Sequence, residues 1–229
     1  MKIFSFIFAR GGSKGIKKKN IKKLCNKPLI AYSIDIAKKI PNVDKIYVST
    51  DSLEIGNIAE DYGAVVIKRP AKLSQDSSPE WLAWQHAIEF VREKNNFDIF
   101  LSLPTTSPLR NINDVTKCLN LLDTKTDVVV GIAKASRSPW FNMVRKKNDS
   151  SIDILLKTEK KFSNRQEVPK IYDLTTVAYV SRPDFIMNSS GVFEGRVKGV
   201  EIPLHRSLDI DTELDFEIAQ FLLSKQGFK

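Results

Sequence analysis

The sequence is poor in the side chains that build disulfides, metal sites of cysteine and histidine, and histidine-based catalysis. It contains two cysteines and two histidines in 229 residues, without the number or spacing that a disulfide framework or such a metal site needs. No apolar run approaches the roughly 20 residues of a membrane helix, and the short apolar start of the chain lacks a signal-peptide cleavage site. These absences predict a cytoplasmic protein without membrane contacts, in which His86 and His205 are structural.

The net charge of +9 invites a nucleic-acid-binding interpretation. The basic residues, however, are mostly lysines scattered along the chain, without interleaved aromatic residues or a known nucleic-acid-binding motif. Their tight cluster at residues 17–19 directly follows a glycine-rich loop. Small anionic substrates explain this cluster more simply, so we expect no nucleic-acid partner. A basic nucleotide-binding or RNA-binding module without enzymatic activity stays open as the non-enzymatic alternative.

Strand-like and helix-like segments alternate through the first half of the chain, which is typical of an α/β sheet. Buried-strand composition predicts the strands, and apolar periodicity with suitable start residues predicts the helices. The predicted strands are 2–9, 45–49, 64–67, 99–103, 127–132, 175–180 and 199–202, and the predicted helices are 29–39, 53–62, 80–94, 112–123 and 213–224. We expect residues 1–229 to form a single domain around a mostly parallel sheet flanked by helices.

Residues 136–170 interrupt this alternation. Two short strand-like pieces, 141–144 and 152–156, are separated by a polar turn. Neither piece carries a hydrophobic face large enough for a separate core, so the segment needs a partner surface. We therefore predict an extended, strand-rich insertion within the domain.

The most informative part of the chain is the segment 6–20, where an apolar strand runs directly into a basic, glycine-containing loop. Glycines such as Gly12 allow backbone N–H groups to approach a phosphate closely, and Arg10, Lys14 and Lys19 can offset its charge. The loop matches neither the Rossmann nor the P-loop pattern. Taken alone, it fits a phosphate-binding loop and a glycine turn on a lysine-rich surface about equally well.

Asp209 and Asp211 form the second informative pattern. In an extended segment their carboxylates point to the same side, because strand side chains alternate. Two such carboxylates can hold a hard cation such as Mg²⁺, with Mn²⁺ as a substitute, together with substrate phosphates. A pair of solvent-facing strand residues is the alternative. Thr212 and Asp215 have the spacing of a capping box, which assigns Asp215 to the start of the last helix.

Both patterns belong to one family resemblance. The run ARGGSKGIKKKNIKKLCNKPLIAYSI resembles the N-terminal signature of the acylneuraminate cytidylyltransferases, and RPAKLSQD at 69–76, SPLR at 107–110, RQ at 165–166 and DIDTELD at 209–215 are similar to later motifs. The resemblance covers nearly the whole chain. It implies a nucleotidyltransferase-type fold, transfer of CMP from CTP to a sialic-type (nonulosonic) sugar acid, and Mg²⁺ on the paired aspartates.

Together with the loop chemistry, the resemblance assigns individual residues. The expected nucleotide contacts are Arg10, Gly12, Ser13, Lys14, Asn20, Arg69 and Ser78, the expected catalytic residues are Arg10, Lys19 and Asp211, and the expected sugar contacts are Pro104, Arg165, Gln166 and Tyr179. Asp211, or a metal-bound hydroxide beside it, is the candidate to take the proton of the attacking hydroxyl. Arg110 has two open roles, pairing with a carboxylate behind the site or contacting the ligand. The insertion 136–170 is expected to form a homodimer contact and to reach the partner's active site.

Three positions depart from the family pattern. Pro104 replaces a glutamine thought to contact the substrate, residues 173–176 differ from the Arg, Asn and Gly of several sialic acid enzymes, and residues 17–18 replace a proline and basic pair. The first two departures fall on the sugar side, which points to a sialic-acid relative such as legionaminic acid as the acceptor. The enzymatic alternative is a nucleotidyltransferase that uses deoxyoctulosonic acid or a sugar 1-phosphate.

Overall fold

The computed structural model describes residues 1–13, 15–158, 162–164 and 166–225. Two predicted site residues, Lys14 and Arg165, lie outside the described residues. A search of the described helices finds none with the length and apolar character needed to cross a membrane.

The strands form where apolar and β-branched residues predominate. They are β1 (Ile3–Phe8), β2 (Lys23–Leu24), β3 (Lys27–Pro28), β4 (Val43–Thr50), β5 (Val65–Lys68), β6 (Ile99–Ser102), β7 (Val128–Lys134), β8 (Val144–Lys146), β9 (Ile152–Ile154), β10 (Tyr172–Ser181) and β11 (Val197–Glu201). Within the described residues, seven of them form one sheet in the order β11-β7-β10-β6-β1-β4-β5. β10 runs antiparallel to both its neighbours, and the other pairs are parallel. The predicted mostly parallel sheet is confirmed.

The helices begin at residues that can satisfy free backbone N–H groups or that fix the backbone for a helix start. They are α1 (Leu29–Lys39), α2 (Leu53–Asp61), α3 (Glu80–Arg92), α4 (Ile112–Leu121), α5 (Pro183–Met187) and α6 (Glu213–Ser224). The Oγ of Ser52 accepts a hydrogen bond from the Ile55 N–H at 3.4 Å and caps α2. Thr212 and Asp215 form the predicted capping box of α6, which confirms the structural role of Asp215.

Most predicted elements are found close to their expected bounds. α1 and α6 agree at both ends, whereas α2, α3 and α4 end a residue or two earlier than expected. The short α5 and the hairpin of β2 and β3 were not predicted, because two to five residues are too few to show a hydrophobic period.

β1 divides the core into two faces. Ile3 and Ile7 join an aliphatic cluster with residues of α1, α2 and α4, whereas Phe4 and Phe6 join an aromatic cluster with residues of α3 and α5. Alternate side chains of a strand point to opposite faces, so a strand buried on both faces is apolar throughout. The rings of Phe6 and Phe100 stack with centroids 4.7 Å apart. This two-sided packing holds the end of β1, and the loop after it, in register with the neighbouring strands.

The insertion contains an antiparallel hairpin of β8 and β9. The first strand-like piece is shifted from its predicted position, because the N–H groups of residues 141–143 all donate to the Ser138 carbonyl in a turn before β8. Several of its apolar side chains are exposed: Phe141, Met143, Val144, Ile152 and Leu156. The hairpin therefore leaves much of its apolar surface uncovered by its own chain.

Candidate active site

The loops after β1, β5 and β6 meet at the carboxyl end of the sheet, beside a cavity of about 470 Å³. Ligands of open α/β sheets bind at this edge, outside the carboxyl ends of the strands. The predicted site residues that line the cavity are Arg10, Gly12, Ser13, Lys19, Asn20, Arg69, Ser78, Pro104, Tyr179, Asp209 and Asp211. The structure thus brings together every predicted site residue that it describes, except Gln166.

The glycine loop packs closely against neighbouring backbone. The Gly11 N–H donates to Asp51 Oδ1 at 2.8 Å, and a Cβ on Gly15 would lie 2.1 Å from the carbonyl oxygen of Asp211. A Cβ on Gly12, by contrast, would meet nothing within 4 Å. The loop is therefore anchored at both ends and open in the middle, where an anionic ligand can approach its backbone.

Arg10 is held through both its side chain and its backbone. Its Nη1 lies 2.5 Å from a carboxylate oxygen of Asp76, and its carbonyl accepts a hydrogen bond of 3.0 Å from Asn20 Nδ2. The Oδ1 of Asn20 accepts a hydrogen bond of 2.6 Å from Thr105 Oγ1. The buried Asn20 amide therefore ties the loop after β1 to the loop after β6, a positioning role that the sequence interpretation did not include.

Lys19, Asp209 and Asp211 form another wall of the cavity. Lys19 Nζ donates to the Ile210 carbonyl at 2.6 Å and to Asp211 Oδ1 at 3.1 Å. Ile210 is fully buried, and its N–H donates to the Thr106 carbonyl at 2.9 Å. Because Ile210 points into the core, the carboxylates on either side of it both face the cavity. This is the predicted arrangement, although residues 209–211 belong to no strand of the sheet.

Asp209 carries a buried acceptor that needs a partner. Its Oδ1 accepts no hydrogen bond from any residue that the structure describes, whereas the Asp211 side chain is 72% exposed. Leaving a buried acceptor unpaired costs about 1–3 kcal/mol. Among the described residues no cluster of three or more His, Cys, Asp or Glu surrounds a metal position. A buried oxygen beside an open carboxylate nevertheless fits a hard cation that also binds water and phosphate oxygens.

Arg69 is buried, so it is not the exposed loop arginine that was its structural alternative. Its Nε donates to Ser49 Oγ at 3.1 Å and its Nη2 to the Ser49 carbonyl at 2.6 Å. Its guanidinium also lies over the ring of Phe8, 5.6 Å from the centroid. Burial lowers the pKa of this guanidinium from its usual value. Ser78 also lines the cavity, and its hydroxyl donates to the Lys72 carbonyl at 2.7 Å.

The wall around Pro104 carries hydroxyl groups. Thr106 Oγ1 donates to Thr176 Oγ1 at 3.2 Å, and Thr176 Oγ1 lies 2.7 Å from Ser107 Oγ. Burial raises the pKa of Tyr179 to about 12, so its phenol keeps its proton at neutral pH. The hydroxyls of this wall can donate and accept hydrogen bonds.

Arg110 is buried and does not line the cavity. It donates to Ser33 Oγ at 3.3 Å and to the Pro104 carbonyl. Burial lowers its pKa to about 9, and the carboxylates of Asp209 and Asp114 oppose that change. Arg110 was expected either to pair with a carboxylate behind the site or to contact the ligand, and these contacts support a role in holding the fold. Its hydrogen-bond partners are a hydroxyl and a carbonyl, however, and not the expected carboxylate.

Gln166 does not line the cavity of its own chain. It is exposed, and its backbone N–H donates to Asn164 Oδ1 at 3.1 Å. A contact between Gln166 and a ligand in this cavity therefore requires a second subunit or a movement of the insertion. The neighbouring Arg165 lies outside the described residues.

Glu80 is a cavity residue that the sequence interpretation missed, because a glutamate after Pro79 is fully explained as a helix start. Its side chain is open to the cavity and surrounded by the cavity walls. This burial raises the pKa of the Glu80 carboxyl, an effect that Asp209 reinforces and that Trp84 and Arg69 oppose.

Comparisons with known proteins agree with this geometry. Residues 5–220 match the family model described as cytidylyltransferase. The chain is 34% identical over 232 residues to the post-translational flagellin modification protein B of Campylobacter coli, covering 99% of this chain and 97% of that protein. It is also 34% identical over 226 residues to the CMP-N,N'-diacetyllegionaminic acid synthase of Campylobacter jejuni, covering 97% and 95%.

A solved structure adds information on the fold alone. The CMP:2-keto-3-deoxy-manno-octonic acid synthetase complexed with CTP has a TM-score of 0.72 to this chain at 17% identity. The match covers 98% of this chain and 99% of that one.

Proposed function

The chain belongs to the cytidylyltransferase family, and we propose that it transfers CMP from CTP to the anomeric hydroxyl of a nonulosonic acid. The observation that carries this proposal is the cavity itself. Its walls combine a glycine loop with fixed cations, a pair of carboxylates, and a wall around Pro104 that is rich in hydroxyls. A nucleoside triphosphate fits the first two walls, and a polyhydroxylated acceptor fits the third. The relative named for diacetyllegionaminic acid supports this class of acceptor.

In the proposed reaction, the sugar hydroxyl oxygen attacks the α-phosphorus of CTP. The bond from the α-phosphorus to the oxygen that bridges it to the β-phosphorus breaks, and pyrophosphate leaves. Arg10, Lys14 and Lys19 together offset the negative charge that grows on the phosphate oxygens. Lys19 is suited to this because two hydrogen bonds hold its Nζ at the cavity wall. Asp211, open to the cavity, takes the proton of the attacking hydroxyl.

Asp209 and Asp211 would hold Mg²⁺, for which Mn²⁺ can substitute. The buried Oδ1 of Asp209 supports this assignment, because a cation would satisfy it. When bound, the ion would supply positive charge that offsets part of the negative charge of the phosphates. Arg110 is buried near this wall, where the carboxylate of Asp209 opposes the effect of burial on the pKa of its guanidinium.

The acceptor side of the proposal uses Pro104, Thr106, Thr176 and Tyr179. The Pro104 ring offers no hydrogen bond, and its carbonyl is already bonded to Ser33 and Arg110. The neighbouring hydroxyls supply the polar contacts instead. At the position of Pro104 the family pattern has a glutamine, so hydroxyls here stand in for its side-chain amide. This difference is the physical reason to expect a relative of N-acetylneuraminate as the substrate.

We also propose that the active unit is a cytoplasmic homodimer without a nucleic-acid partner. The exposed apolar side chains of the insertion support the dimer, since Val144 is 52% and Ile152 is 61% exposed. A two-fold partner would cover them. It would also allow Arg165 and Gln166 of one subunit to complete the sugar side of the other.

A turnover screen tests the proposed function. CTP is combined with N-acetylneuraminic, diacetyllegionaminic, pseudaminic and deoxyoctulosonic acids, and UTP, ATP and GTP are combined with sugar 1-phosphates. We expect a CMP-sugar and one equivalent of pyrophosphate from CTP and at least one nonulosonic acid. Turnover only with deoxyoctulosonic acid or a sugar 1-phosphate would contradict the acceptor class. Absence of turnover in every arm would contradict the enzymatic activity.

A further inference from the structure

Glu80 faces the cavity from the first position of α3. Residues four apart lie on the same face of a helix, so Glu80 and Trp84 share one face of α3. Trp84 meets the ring of Tyr179 edge-on, with centroids 5.4 Å apart. Glu80 also acts electrostatically on Tyr179. These contacts place the Glu80 carboxylate on the side of the cavity where Tyr179 lies.

The cations of the cavity are engaged by other groups. Arg10 pairs with Asp76, and Lys19 pairs with Asp211. Arg69 directs its Nε and Nη2 to Ser49. Within the described part of the chain, Glu80 forms no ion pair of its own. An open carboxylate without an ion-pair partner, in a cavity that binds ligand, is available to the ligand.

A carboxylate is poorly placed to meet the triphosphate, because like charges repel strongly in a partly desolvated site. Hydrogen-bond donors remain on the cytosine, on the ribose and on the sugar acid, whose ring carries hydroxyl and acylamino groups. The position of Glu80 on the side of Tyr179, which we assign to the acceptor, favours the sugar acid.

Burial raises the pKa of the Glu80 carboxyl, whereas Trp84 and Arg69 act in the opposite direction and favour its ionised form. In that form the carboxylate only accepts hydrogen bonds. It therefore selects substituents that donate one, and a substrate without that donor would leave it unpaired.

We propose that Glu80 is a specificity-determining residue, whose carboxylate accepts a hydrogen bond from an N–H or O–H group on the sugar acid. The inference rests on the proposed function. It adds to that function by assigning the choice among sugar acids to a residue of α3. The competing explanation is purely structural, since an acidic residue in the first turn also interacts favourably with the helix dipole.

Two variants of Glu80 separate these explanations. Glu80→Gln removes the charge and keeps the shape. Glu80→Asp keeps the charge at the helix start but withdraws the carboxylate by one methylene. Glu89→Gln is the matched control, because Glu89 is exposed on the same helix and does not line the cavity. For each protein, kcat and KM are measured with the sugar acid varied at saturating CTP, and then with CTP varied.

We expect kcat/KM for the sugar acid to fall about 10- to 100-fold in Glu80→Gln, the range for a hydrogen bond to a charged group. Glu80→Asp should also lose activity toward the sugar acid, while KM for CTP changes little in either variant. The same measurements use N-acetylneuraminic acid and its analogue with a hydroxyl in place of the acylamino group. A loss confined to the first substrate identifies the acylamino N–H as the donor, and an equal loss for both substrates identifies a hydroxyl that they share. Both results support the proposal.

Three results would overturn it. Unchanged sugar kinetics in Glu80→Gln, or wild-type kinetics in Glu80→Asp, would leave only the helix-start role. A loss confined to CTP would move Glu80 to the nucleotide side, for example to the cytosine amino group. If the wild-type enzyme turned over no sugar acid at all, the proposed function would fail together with this assignment. Normal wild-type turnover with unaffected variants would refute the Glu80 assignment alone.

Discussion

The positions of the glycine loop and of the wall formed by Lys19, Asp209 and Asp211 should depend on each other, because the two backbones approach closely at one point. A Cβ on Gly15 would lie 2.1 Å from the carbonyl oxygen of Asp211. Because ordinary contact at such a position starts at 3.4 Å, Gly15→Ala must move one backbone segment by more than an ångström. The loop carries the proposed phosphate contacts, and the Asp211 carboxylate is the proposed base. The change therefore alters the distance between the groups that act on the α-phosphate.

A displacement of about 1 Å at a reacting centre can cost about 10²-fold in rate. We expect Gly15→Ala to lower kcat by about that factor, with a loss of stability of about 1–3 kcal/mol from overpacking. Steady-state kinetics and urea unfolding measure the two effects separately. Gly191→Ala is the control, because a Cβ there meets nothing within 4 Å and its backbone is extended. A Gly15→Ala enzyme with kcat close to that of the control would refute the coupling between loop and wall.

Three further predictions concern the charged residues and the insertion. Arg10→Ala should raise KM for CTP and lower kcat together, since the side chain is proposed to meet charge that grows on the phosphates; a change confined to KM for the sugar acid would move Arg10 to the acceptor side. Asp209→Ala should abolish the rise in Tm that Mg²⁺ causes in the presence of CTP. It should not lower the Tm of the metal-free protein, because the buried Oδ1 of Asp209 has no described partner to lose. A persistent Mg²⁺ effect would refute the assignment of Asp209 as a metal ligand. Ile152→Asp should shift sedimentation at micromolar concentration from dimer to monomer, while Leu53→Asp, at an exposed leucine outside the insertion (81%), should not. A wild-type monomer with full activity would contradict the dimer.

Much of the fold was predictable because its signals are local. The helix over Leu29–Lys39 begins directly after Pro28, and α6 has its capping box in the adjacent residues 212–215. The position of β10 was not predictable in the same way. It enters the sheet antiparallel between β6 and β7, and that pairing depends on contacts between residues far apart in the chain.

The residues of the candidate site also fall into two groups, those that local sequence motifs predict and those that only the folded chain reveals. Arg10, Asp209 and Asp211 stand in motifs, so their position at one cavity was expected. Glu80 was missed because its neighbours in sequence explain it completely as a helix start. Only the packing of α3 against Tyr179 shows that its carboxylate reaches the cavity. The roles of Asn20 and Arg110 likewise emerge from hydrogen bonds across the fold, to Thr105 and to the Pro104 carbonyl.

The central claim is that the anomeric hydroxyl of a sugar acid attacks the α-phosphorus of CTP. An oxygen-isotope experiment tests it directly. The sugar acid is equilibrated in ¹⁸O-enriched water so that its anomeric hydroxyl is labelled, and the products of turnover with CTP are analysed by mass spectrometry. The account predicts a CMP-sugar with one ¹⁸O in the bond between sugar and phosphorus, and unlabelled pyrophosphate. Label in the pyrophosphate, or labelled free CMP without any CMP-sugar, would contradict it.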